Sequence, residues 1–201
     1  MADNAVVHLV DDDEEVRRAL AFLLGTAGFA VRVFDSAVSL LEKLDPSQPG
    51  CIVSDVRMPG MDGIQLLNVL RKKNVPMPVI IMTGHADVAL AVGAMKAGAA
   101  DFLEKPFADD ALLEAIRSAL AHQGKGAMPA DNALKARMGE LSDREKQVLK
   151  GLMAGHPNKT IAYDLGISPR TVEVHRASVM KKMGVNSLSA LVRMTLSAGD
   201  F

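Results

Sequence analysis

The sequence contains a single cysteine and no long run of apolar residues. Cys51 has no disulfide partner within the chain, and its place in a short apolar segment predicts a buried packing residue. No apolar stretch reaches the roughly 18 residues that a membrane-spanning helix requires. Residues 1–10 lack a basic start followed by a long apolar core, so no signal peptide is predicted. We therefore expect a cytoplasmic protein without a membrane partner.

The formal net charge of −1 conceals two halves of opposite sign. Residues 1–123 contain 11 Lys and Arg against 17 Asp and Glu, a net charge of −6. Residues 124–201 contain 12 Lys and Arg against 7 Asp and Glu, a net charge of +5. A chain of 201 residues is long enough for two domains with separate cores. The asymmetry suggests that the second half faces nucleic acid, while the first half has another task.

Five strand-like segments alternate with five helical ones in the acidic half. Alternation of this kind predicts an α/β domain, a doubly wound (βα)5 parallel sheet with helices on both faces, over residues 1–123. The predicted strands are 5–10, 30–34, 51–54, 78–82 and 100–103, and the predicted helices are 14–27, 36–44, 64–73, 86–97 and 109–122.

The basic half has no strand pattern. Residues 124–138 are rich in chain-breaking residues, and we interpret them as an interdomain linker. For residues 139–201 the pattern predicts an all-α domain of four helices. Gly166 would form a tight turn between the second and third helices, as in a helix-turn-helix. These helices are expected to follow N-caps and to end near residues 154, 165, 183 and 198; the caps are Ser142, Asn158, Ser168 and Ser187.

Polar residues follow four of the predicted strands at the same end. Because the carboxyl ends of parallel strands meet at one edge of a sheet, we expect these side chains to lie together. A lone Asp at a strand end is commonly only a turn residue, but the joint pattern argues against that interpretation. The residues concerned are Asp11, Asp12, Asp55, Thr83 and Lys105.

This combination of side chains predicts phosphoryl chemistry. Three carboxylates at one edge repel each other unless a cation lies among them, and their hard oxygen atoms suit Mg²⁺. The metal would neutralise charge on a transferred phosphoryl group beside Asp55. Lys105 would supply a second positive charge, and the Thr83 hydroxyl could donate to a phosphoryl oxygen. The predicted reaction is attack by the Asp55 carboxylate on phosphorus.

These motifs resemble the receiver domain of two-component response regulators. The resemblance implies that Asp55 is the phospho-acceptor and that Lys105 is the phosphate partner. It also implies a Mg²⁺ site formed by Asp11, Asp12, Asp55 and the backbone carbonyl of Arg57. The matching segments are VDDDEE, SDVRMPGMDG, MTGHAD and DFLEKPF.

The same resemblance implies a conformational switch. After phosphorylation by a sensor histidine kinase, Thr83 would move towards the phosphoryl group and Phe102 would rotate inward. The surface formed by the fourth helix, fifth strand and fifth helix would then change shape and support a homodimer. We assign Val92 and Lys96, on the predicted fourth helix, to this dimer surface.

The third helix of the basic half separates into an inward and an outward face. Val172, Val179 and Met183 recur at helical spacing and are expected to face the core. On the opposite face, Ala177 leaves room for close approach to a DNA groove, and Val174 could contact a thymine methyl group. The outward residues predicted to face DNA bases are Arg170, Glu173, Val174, Ala177 and Lys181.

Residues beside this outward face are better placed for phosphate contacts. Two of them begin the preceding helix, where the free N–H groups and the helix dipole favour anions. A basic helix face is commonly only solvated, which is the alternative to a role in DNA binding. The predicted phosphate-contacting residues are Lys159, Thr160, Thr171, Arg176 and Lys182.

Two long segments, LSDREKQVL and NKTIAYDLGISPRTVEVHRASVMKKMGV, resemble the LuxR-type helix-turn-helix of NarL/FixJ response regulators. Within that family, AMKAGAADFLEKPF and PNKTIAYDLGISPRTVEVHRA are most similar to the FixJ branch. That branch activates nitrogen-fixation genes under an oxygen-sensing kinase. The resemblance implies a transcription activator of nitrogen-fixation or oxygen-responsive genes that binds double-stranded DNA as a dimer, with RNA polymerase as a further partner.

Three classes of function remain open at this stage. In the leading hypothesis, phosphorylated Asp55 either frees the basic domain or dimerises the acidic one. An aspartyl phosphotransferase would need a general acid near its nucleophile, whereas the neighbours are Ser54, Val56 and Arg57, so we predict that the protein is not an enzyme. A DNA-binding module with a silent Asp55 is the third class. It would retain three repelling carboxylates at an energetic cost without using them.

Overall fold

The structure is a computed structural model that describes residues 5–84, 88–122 and 131–197. Its first part is a five-stranded parallel sheet with the strand order β2-β1-β3-β4-β5. The strands are β1 (Val6–Val10), β2 (Ala30–Phe34), β3 (Gly50–Asp55), β4 (Val79–Thr83) and β5 (Asp101–Glu104). The helices between and after them are α1 (Glu14–Thr26), α2 (Ala37–Lys43), α3 (Gly63–Lys72), α4 (Val88–Lys96) and α5 (Asp109–His122).

The three central strands are buried along their whole length. Every residue of β1, β3 and β4 is buried, which explains why these segments are nearly continuous apolar runs rather than alternating ones. Leu24 of α1 and Leu112 of α5 join Val7, Leu9 and Val53 in a buried cluster on one side of the sheet. The α/β sheet predicted from the alternating pattern is therefore confirmed.

Local capping fixes where these helices begin. Asp13 accepts hydrogen bonds from the N–H groups of Glu15 and Val16 at the start of α1. Asp62 and Gln65 form a reciprocal capping box at the start of α3. These caps anchor the two helices that follow the acidic ends of β1 and β3, and so they fix the loops that carry the functional side chains.

The remaining helices are α6 (Asp131–Gly139), α7 (Asp143–Met153), α8 (Asn158–Leu165), α9 (Pro169–Met183) and α10 (Leu188–Ser197). They belong to a second compact unit, which also includes α4. The first unit contains the sheet with α1, α2, α3 and α5. None of the helices within the described ranges is long and apolar enough to cross a membrane.

Three of the four helix N-caps predicted for the basic half are present in the structure. Ser142 and Glu145 form a capping box at α7, and Ser168 caps α9 with Pro169 at its first position, as predicted. Ser187 also caps its helix, because its hydroxyl accepts from the N–H of Ala190. Gly166 ends α8 with a left-handed φ of 65°, which favours glycine.

The predicted cap at Asn158 is wrong. Pro157 occupies the cap position, and its carbonyl accepts the first helical bonds, from Thr160 and Ile161. A proline is tolerated there because the N–H that it lacks is not needed in the first turn. Asn158 is therefore the first helical residue, and its buried Oδ1 has no hydrogen-bond partner within the described ranges.

Smaller differences concern one helix face and the predicted linker. Helical spacing in the sequence predicts an inward face of Ile64, Leu67 and Leu70 for α3. In the structure Leu66, Leu67 and Leu70 are buried, and Ile64 is only partly buried. Within the predicted linker 124–138, residues 124–130 lie outside the described ranges. Its later part is helical, because α6 begins at Asp131.

Candidate functional site

The carboxyl ends of four neighbouring strands form the candidate site of the first unit. Asp55 is the last residue of β3, and Thr83 is the last residue of β4. Asp11 follows β1 directly, and Lys105 follows β5. Three of these polar side chains are almost fully buried: Asp11 is 2% exposed, Asp55 is 8% exposed and Thr83 is 1% exposed. Buried polar groups at a strand edge need specific partners.

Lys105 is the partner of both buried carboxylates. Its Nζ lies 2.7 Å from Oδ2 of Asp11 and 2.6 Å from Oδ1 of Asp55. Each carboxylate makes one further bond to the main chain: Asp13 N–H donates to Asp11 at 3.0 Å, and Arg57 N–H donates to Asp55 at 2.6 Å. The lysine thus joins two residues that are far apart in sequence.

The environment of Lys105 keeps the amine protonated. Burial alone would lower its pKa, because a charged amine is less stable away from water. The hydrogen bonds and negative charges of Asp11 and Asp55 outweigh burial, so the pKa of Lys105 is raised. One positive charge therefore faces two acidic side chains, and the group of three retains an excess negative charge for a cation or an electrophile.

Backbone contacts fix the position of Asp55. Val56 N–H continues the sheet by donating to Met82 O at 2.8 Å, and Gly63 N–H returns to Val56 O at 2.9 Å. A Cβ on Gly63 would lie 2.3 Å from the Asp55 carbonyl oxygen, so only glycine fits. The loop after β3 is therefore closed tightly against the strand, which directs the acidic side chain to the edge of the sheet.

Asp12 does not join the other two carboxylates as closely as we expected. It is exposed, and in the described ranges no three His, Cys, Asp or Glu side chains lie close enough together in this arrangement to hold a metal ion, so Asp12 would have to turn towards Asp11 and Asp55 to complete such a site. The mutual repulsion that we expected a metal to relieve is relieved in this structure by Lys105. The oxygen donors of Asp11 and Asp55 still suit Mg²⁺ in chemical type, with Asp12 beside them in the loop.

The two residues assigned to the switch lie close to this site in sequence and fold. Thr83 ends β4, and its carbonyl accepts a hydrogen bond of 2.6 Å from the Lys105 N–H. Phe102 is half-buried in β5, the edge strand next to β4. The peptide bond between Lys105 and Pro106 is cis. Thr83 and Phe102 thus lie on the two neighbouring strands β4 and β5.

The two residues assigned to a dimer surface are placed differently. Val92 is 2% exposed, which conflicts with the surface position that we predicted for it. The reason is that α4 is apolar on most sides, and Ala91, Ala94 and Met95 are buried as well. Lys96 is exposed, and its Nζ donates to the carbonyl of Met153 at 2.9 Å.

A candidate nucleic-acid interface lies on α9 of the second unit. Val172, Val179 and Met183 are fully buried, so the inward face predicted from helical spacing is confirmed. The five residues predicted to face outward are all exposed, and Val174 is 61% exposed although it is apolar. An exposed apolar side chain between charged ones suits the edge of a base pair. The exposed residues are Arg170, Glu173, Val174, Ala177 and Lys181.

Four of the predicted phosphate-contacting residues lie on α8 and α9 and are at least partly exposed. Lys159 is exposed, whereas Thr160, Thr171 and Arg176 are half-buried. The Thr171 hydroxyl lies 2.8 Å from that of the Ser168 cap. These contacts leave the start of α9 well ordered by its own cap.

Lys182 differs from the other predicted DNA contacts because its amine is bonded to two residues of the same unit. Its Nζ lies 2.7 Å from Oε2 of Glu145 and 3.1 Å from the carbonyl oxygen of Glu140. Glu145 is 5% exposed and also accepts from Ser178 at 2.6 Å. The hydrogen bonds from Lys182 and then Ser178 lower the pKa of Glu145 to about 2.

This buried role of Glu145 was missed at the level of sequence. Its spacing from Ser142 indicates only a capping box, and its other partners are 33 and 37 residues away along the chain. Gly63, next to Asp62 in the sequence, likewise indicates only a chain break after the third strand. A close backbone approach depends on the tertiary fold, so the sequence contains no local signal for it.

Each half of the chain matches a known protein family. Residues 7–117 match the family described as response regulator receiver domain. Residues 139–195 match the family of bacterial regulatory proteins described as the luxR family. The first match includes the strand-end site with Asp55, and the second includes α7 to α9 with their exposed basic face.

Full-length relatives have the same arrangement of domains. The chain is 53% identical to the transcriptional regulatory protein FixJ of Azorhizobium caulinodans, over 99% of this chain and 95% of that protein. It is 52% identical to FixJ of Rhizobium meliloti, over 96% of each. The crystal structure of full-length FixJ from B. japonicum is 51% identical, with a TM-score of 0.56 and 98% of both chains covered. The chain therefore belongs to the FixJ-type response regulators, DNA-binding regulators of transcription that join a receiver domain to a LuxR-type helix-turn-helix.

Proposed function

We propose that phosphorylation of Asp55 by a sensor histidine kinase controls DNA binding by this protein. The observation that carries the proposal is the position of Lys105, whose Nζ lies within 2.7 Å of both Asp11 and Asp55. The Asp55 carboxylate lies beside one cation, the Lys105 amine, and the three groups together keep an excess negative charge. Such a carboxylate suits a phosphoryl acceptor that needs a second cation to react.

The reaction is a transfer between two side chains. An Asp55 oxygen attacks the phosphorus of the kinase phosphohistidine, an O–P bond forms, and the P–N bond breaks as the imidazole leaves with the electron pair. Mg²⁺, held by Asp11, Asp12, Asp55 and the Arg57 carbonyl, would neutralise charge on the transferred oxygens. Lys105 stays protonated and shifts its hydrogen bond from the carboxylate to the new phosphoryl group.

The acyl phosphate then acts as a switch. It adds a charge of about −1.5 to −2 and new acceptor oxygens, towards which the Thr83 hydroxyl moves. Phe102 then rotates towards the space behind Thr83. The chain order supports transmission of the change from Thr83 to α4, because Thr83 ends β4 and α4 begins five residues later, at Val88.

We further propose that α4 passes the change to the DNA-binding helices. It lies in the same compact unit as α7 and α10 and contacts both. The bond from Lys96 to the Met153 carbonyl is one contact that a moving α4 would break. Release of these helices and formation of a homodimer through Val92 and Lys96 are both compatible with this step, although Val92 would first have to become exposed.

In this proposal the phosphorylated protein binds double-stranded DNA in the cytoplasm as a dimer and activates transcription. In this proposal a receiver domain (1–123), a linker (124–138) and a DNA-binding domain (139–201) share the tasks. Bases are contacted by the exposed face of α9, and phosphates by Lys159, Thr160, Thr171 and Arg176, with RNA polymerase as the partner at the promoter. Nitrogen-fixation or oxygen-responsive genes are the proposed targets, because the similar proteins are named FixJ.

The test compares wild type, Asp55→Asn and the exposed control Glu42→Gln as full-length proteins. Each is treated with Mg²⁺ and acetyl phosphate or beryllofluoride. Intact mass reports phosphorylation, sedimentation reports dimerisation, and fluorescence anisotropy reports affinity for a duplex enriched by the wild type from a random library. We expect wild type and Glu42→Gln to respond in all three measurements and Asp55→Asn in none.

Two results would contradict the proposal in different ways. Phosphorylation of Asp55→Asn at the wild-type level would show that the phospho-acceptor is a residue other than Asp55. Equal DNA affinity of untreated and treated wild type would mean that the receiver does not control DNA binding, and the silent-module hypothesis would replace the switch.

A further inference from the structure

The last turns of α9 are held by side chains from two other helices of the second unit. Glu145 of α7 accepts from Ser178 Oγ at 2.6 Å and from Lys182 Nζ at 2.7 Å. Arg137 of α6 donates through Nη1 to the Met183 carbonyl at 2.8 Å. We call these contacts of Glu145 and Arg137 the α9 clamp.

Glu145 sets the rotation of α9 about its own axis. Ser178 and Lys182 are four residues apart, so they lie one turn apart on the same side of the helix. One carboxylate that binds both of them holds that side of α9 against α7. Glu145 is 5% exposed, so loss of Ser178 would leave its Oε1 buried without a partner, and loss of Lys182 would leave its buried charge without a cation. Both losses make other rotations of α9 unfavourable.

Arg137 sets the position of α9 along its axis. The last carbonyl groups of a helix have no partner within the helix and form the negative end of its dipole. Gly184 closes α9 with a φ of 67° and an N–H bond to the Lys181 carbonyl. The Met183 carbonyl is bound instead by the Arg137 guanidinium, a cation at the helix end where it is favoured.

We propose that Arg137 and Glu145 are positioning residues for DNA recognition, acting on bases only through α9. The inference rests on the proposed binding of DNA by the exposed face of α9. Hydrogen bonds to base edges require accurate placement of the helix, whereas long side chains can still contact phosphates after a small shift. Loss of the clamp is therefore expected to reduce sequence discrimination more than overall affinity.

The inference also changes the role of α6. Arg137 falls within the segment 124–138 that the sequence assigns to an interdomain linker, yet its side chain is bonded to the end of α9. A displacement of α6 would therefore act directly on the helix that reads DNA. No sequence pattern indicates this contact, because Arg137 and Met183 are 46 residues apart.

The experiment measures the ratio of two affinities in the full-length protein with Mg²⁺ and beryllofluoride. One probe is a duplex enriched by the wild type from a random library, and the other is an unselected random duplex of the same length. The test variants are Arg137→Ala and Glu145→Gln. Matched controls remove the same charges at exposed positions of the same unit, in Lys150→Ala and Glu140→Gln.

We expect the ratio of specific to non-specific affinity to fall about tenfold in both test variants and to be unchanged in both controls, because one lost base contact has about this effect. Arg137→Lys should keep most of the ratio, since an amine can also donate to the carbonyl. The salt dependence of non-specific binding should match that of Lys150→Ala, because Arg137 does not contact phosphate in this proposal.

Circular dichroism establishes that each variant is folded at the assay temperature. If Glu145→Gln is not, Ser178→Ala replaces it, because this change removes one bond of Glu145 and keeps its ion pair with Lys182. An unchanged affinity ratio in the folded variants would overturn the inference. A salt slope shallower by about 0.9 for Arg137→Ala than for Lys150→Ala would also overturn it, because Arg137 would then contact phosphate directly. If the wild type binds neither duplex, the proposed function fails and the inference fails with it.

Discussion

Each half of the protein contains a lysine bound to a buried carboxylate, and the two groups differ in their balance of charge. Lys105 in the first unit faces two carboxylates, Asp11 and Asp55. Lys182 in the second unit faces one, Glu145, which also receives bonds from a hydroxyl and a backbone N–H. The first group keeps an excess negative charge, whereas the second is neutral and fully bonded.

In the proposed function, this difference separates the phospho-acceptor site from a structural group. Carboxylate oxygens that are held near each other with only one cation can bind a metal or attack an electrophile. A carboxylate that accepts three bonds in a neutral group has little left to offer a ligand and mainly fixes the helices around it. The same pair of residue types would thus support phosphoryl transfer at the sheet edge in the proposed function, whereas at the end of α9 it holds two helices together.

The largest expected effect is that of Lys105→Gln. Without the lysine, Asp11 and Asp55 repel each other in a buried site, and we expect the free energy of unfolding to fall by about 3 kcal/mol. Mg²⁺ should restore more stability to this variant than to the wild type, because it replaces the missing charge. Thermal unfolding followed by circular dichroism, with and without Mg²⁺, measures both effects. The exposed control Lys72→Gln should show neither, and equal stabilisation of wild type and Lys105→Gln by Mg²⁺ would contradict the account.

Glu145→Gln tests the neutral group, with an expected loss of about 2 kcal/mol in the stability of the second unit. The cost is lower than at Lys105 because the released Lys182 is 35% exposed and can reach water. The measurement is hydrogen exchange of α7 and α9 in the full-length protein, with Glu140→Gln as the control.

The same variant should also remove a pH dependence. The pKa of Glu145 is about 2 in the folded protein and lies below its ordinary value of 4.5. Its stabilising contribution is therefore complete above pH 4.5 and is lost as the pH falls from 4.5 towards 2. The difference between wild type and Glu145→Gln should shrink over that range. A difference that stays constant would show that the charge of Glu145 is not what stabilises α9.

A smaller effect is expected for His8, a buried polar residue of β1 that lacks the partners that both lysines have. Its two ring nitrogens have no hydrogen-bond partner in the described part of the chain, and its ring stacks on Phe34. Burial, and then the charge of Arg32, lower the pKa of His8 below 6.5. As the pH falls, His8 therefore binds a proton in the unfolded chain before it does so in the folded protein. The free energy of unfolding consequently falls as the pH drops below 6.5.

We expect His8→Leu to remove this pH dependence and to raise stability by about 1 kcal/mol at pH 5, because no unsatisfied nitrogen remains buried. Thermal unfolding between pH 5 and pH 8 provides the measurement, with the partly exposed His156→Gln as the control. A wild type whose stability is flat below pH 6.5 would mean that His8 is hydrogen-bonded in solution.

The smallest effect distinguishes two adjacent lysines of α9. Lys181 is exposed, whereas Lys182 is bound to Glu145. Lys181→Gln removes one positive charge from the DNA-facing side of α9, so the salt dependence of DNA binding should become shallower by at most about 0.9, and stability should be unchanged. Lys182→Gln should lower stability with little change in the slope. The opposite pattern would make Lys182 the DNA contact, as its position in the sequence first suggested.

Much of the first site could be predicted because one rule covers it. Parallel strands bring their carboxyl ends to one edge, so polar residues that follow several strands must lie together. That rule does not say which carboxylate turns outward, and Asp12 is exposed while Asp11 is buried. The direction of a side chain in a loop depends on bonds such as that from the Asp13 N–H to Asp11, which no periodic pattern indicates.

The interface of the second unit shows a similar division. Helical spacing predicted both faces of α9, because a stripe of apolar residues has only one way to be buried. Helix α4 is apolar on most sides, a pattern that favours burial, and the surface position predicted for Val92 came from the family resemblance rather than from this pattern. Lys182 appears on a basic helix like any surface lysine, and its partner lies 37 residues away.

The sequence by itself determined the alternation of strands and helices, the two charged halves, the acidic strand ends and the exposed face of α9. Each of these follows from local spacing or from a rule of chain topology. The tertiary structure decided that Lys105 joins Asp11 to Asp55 and that Glu145 and Arg137 hold α9. Such contacts depend on the distance and direction between side chains that are remote in sequence, and only the packed fold fixes both.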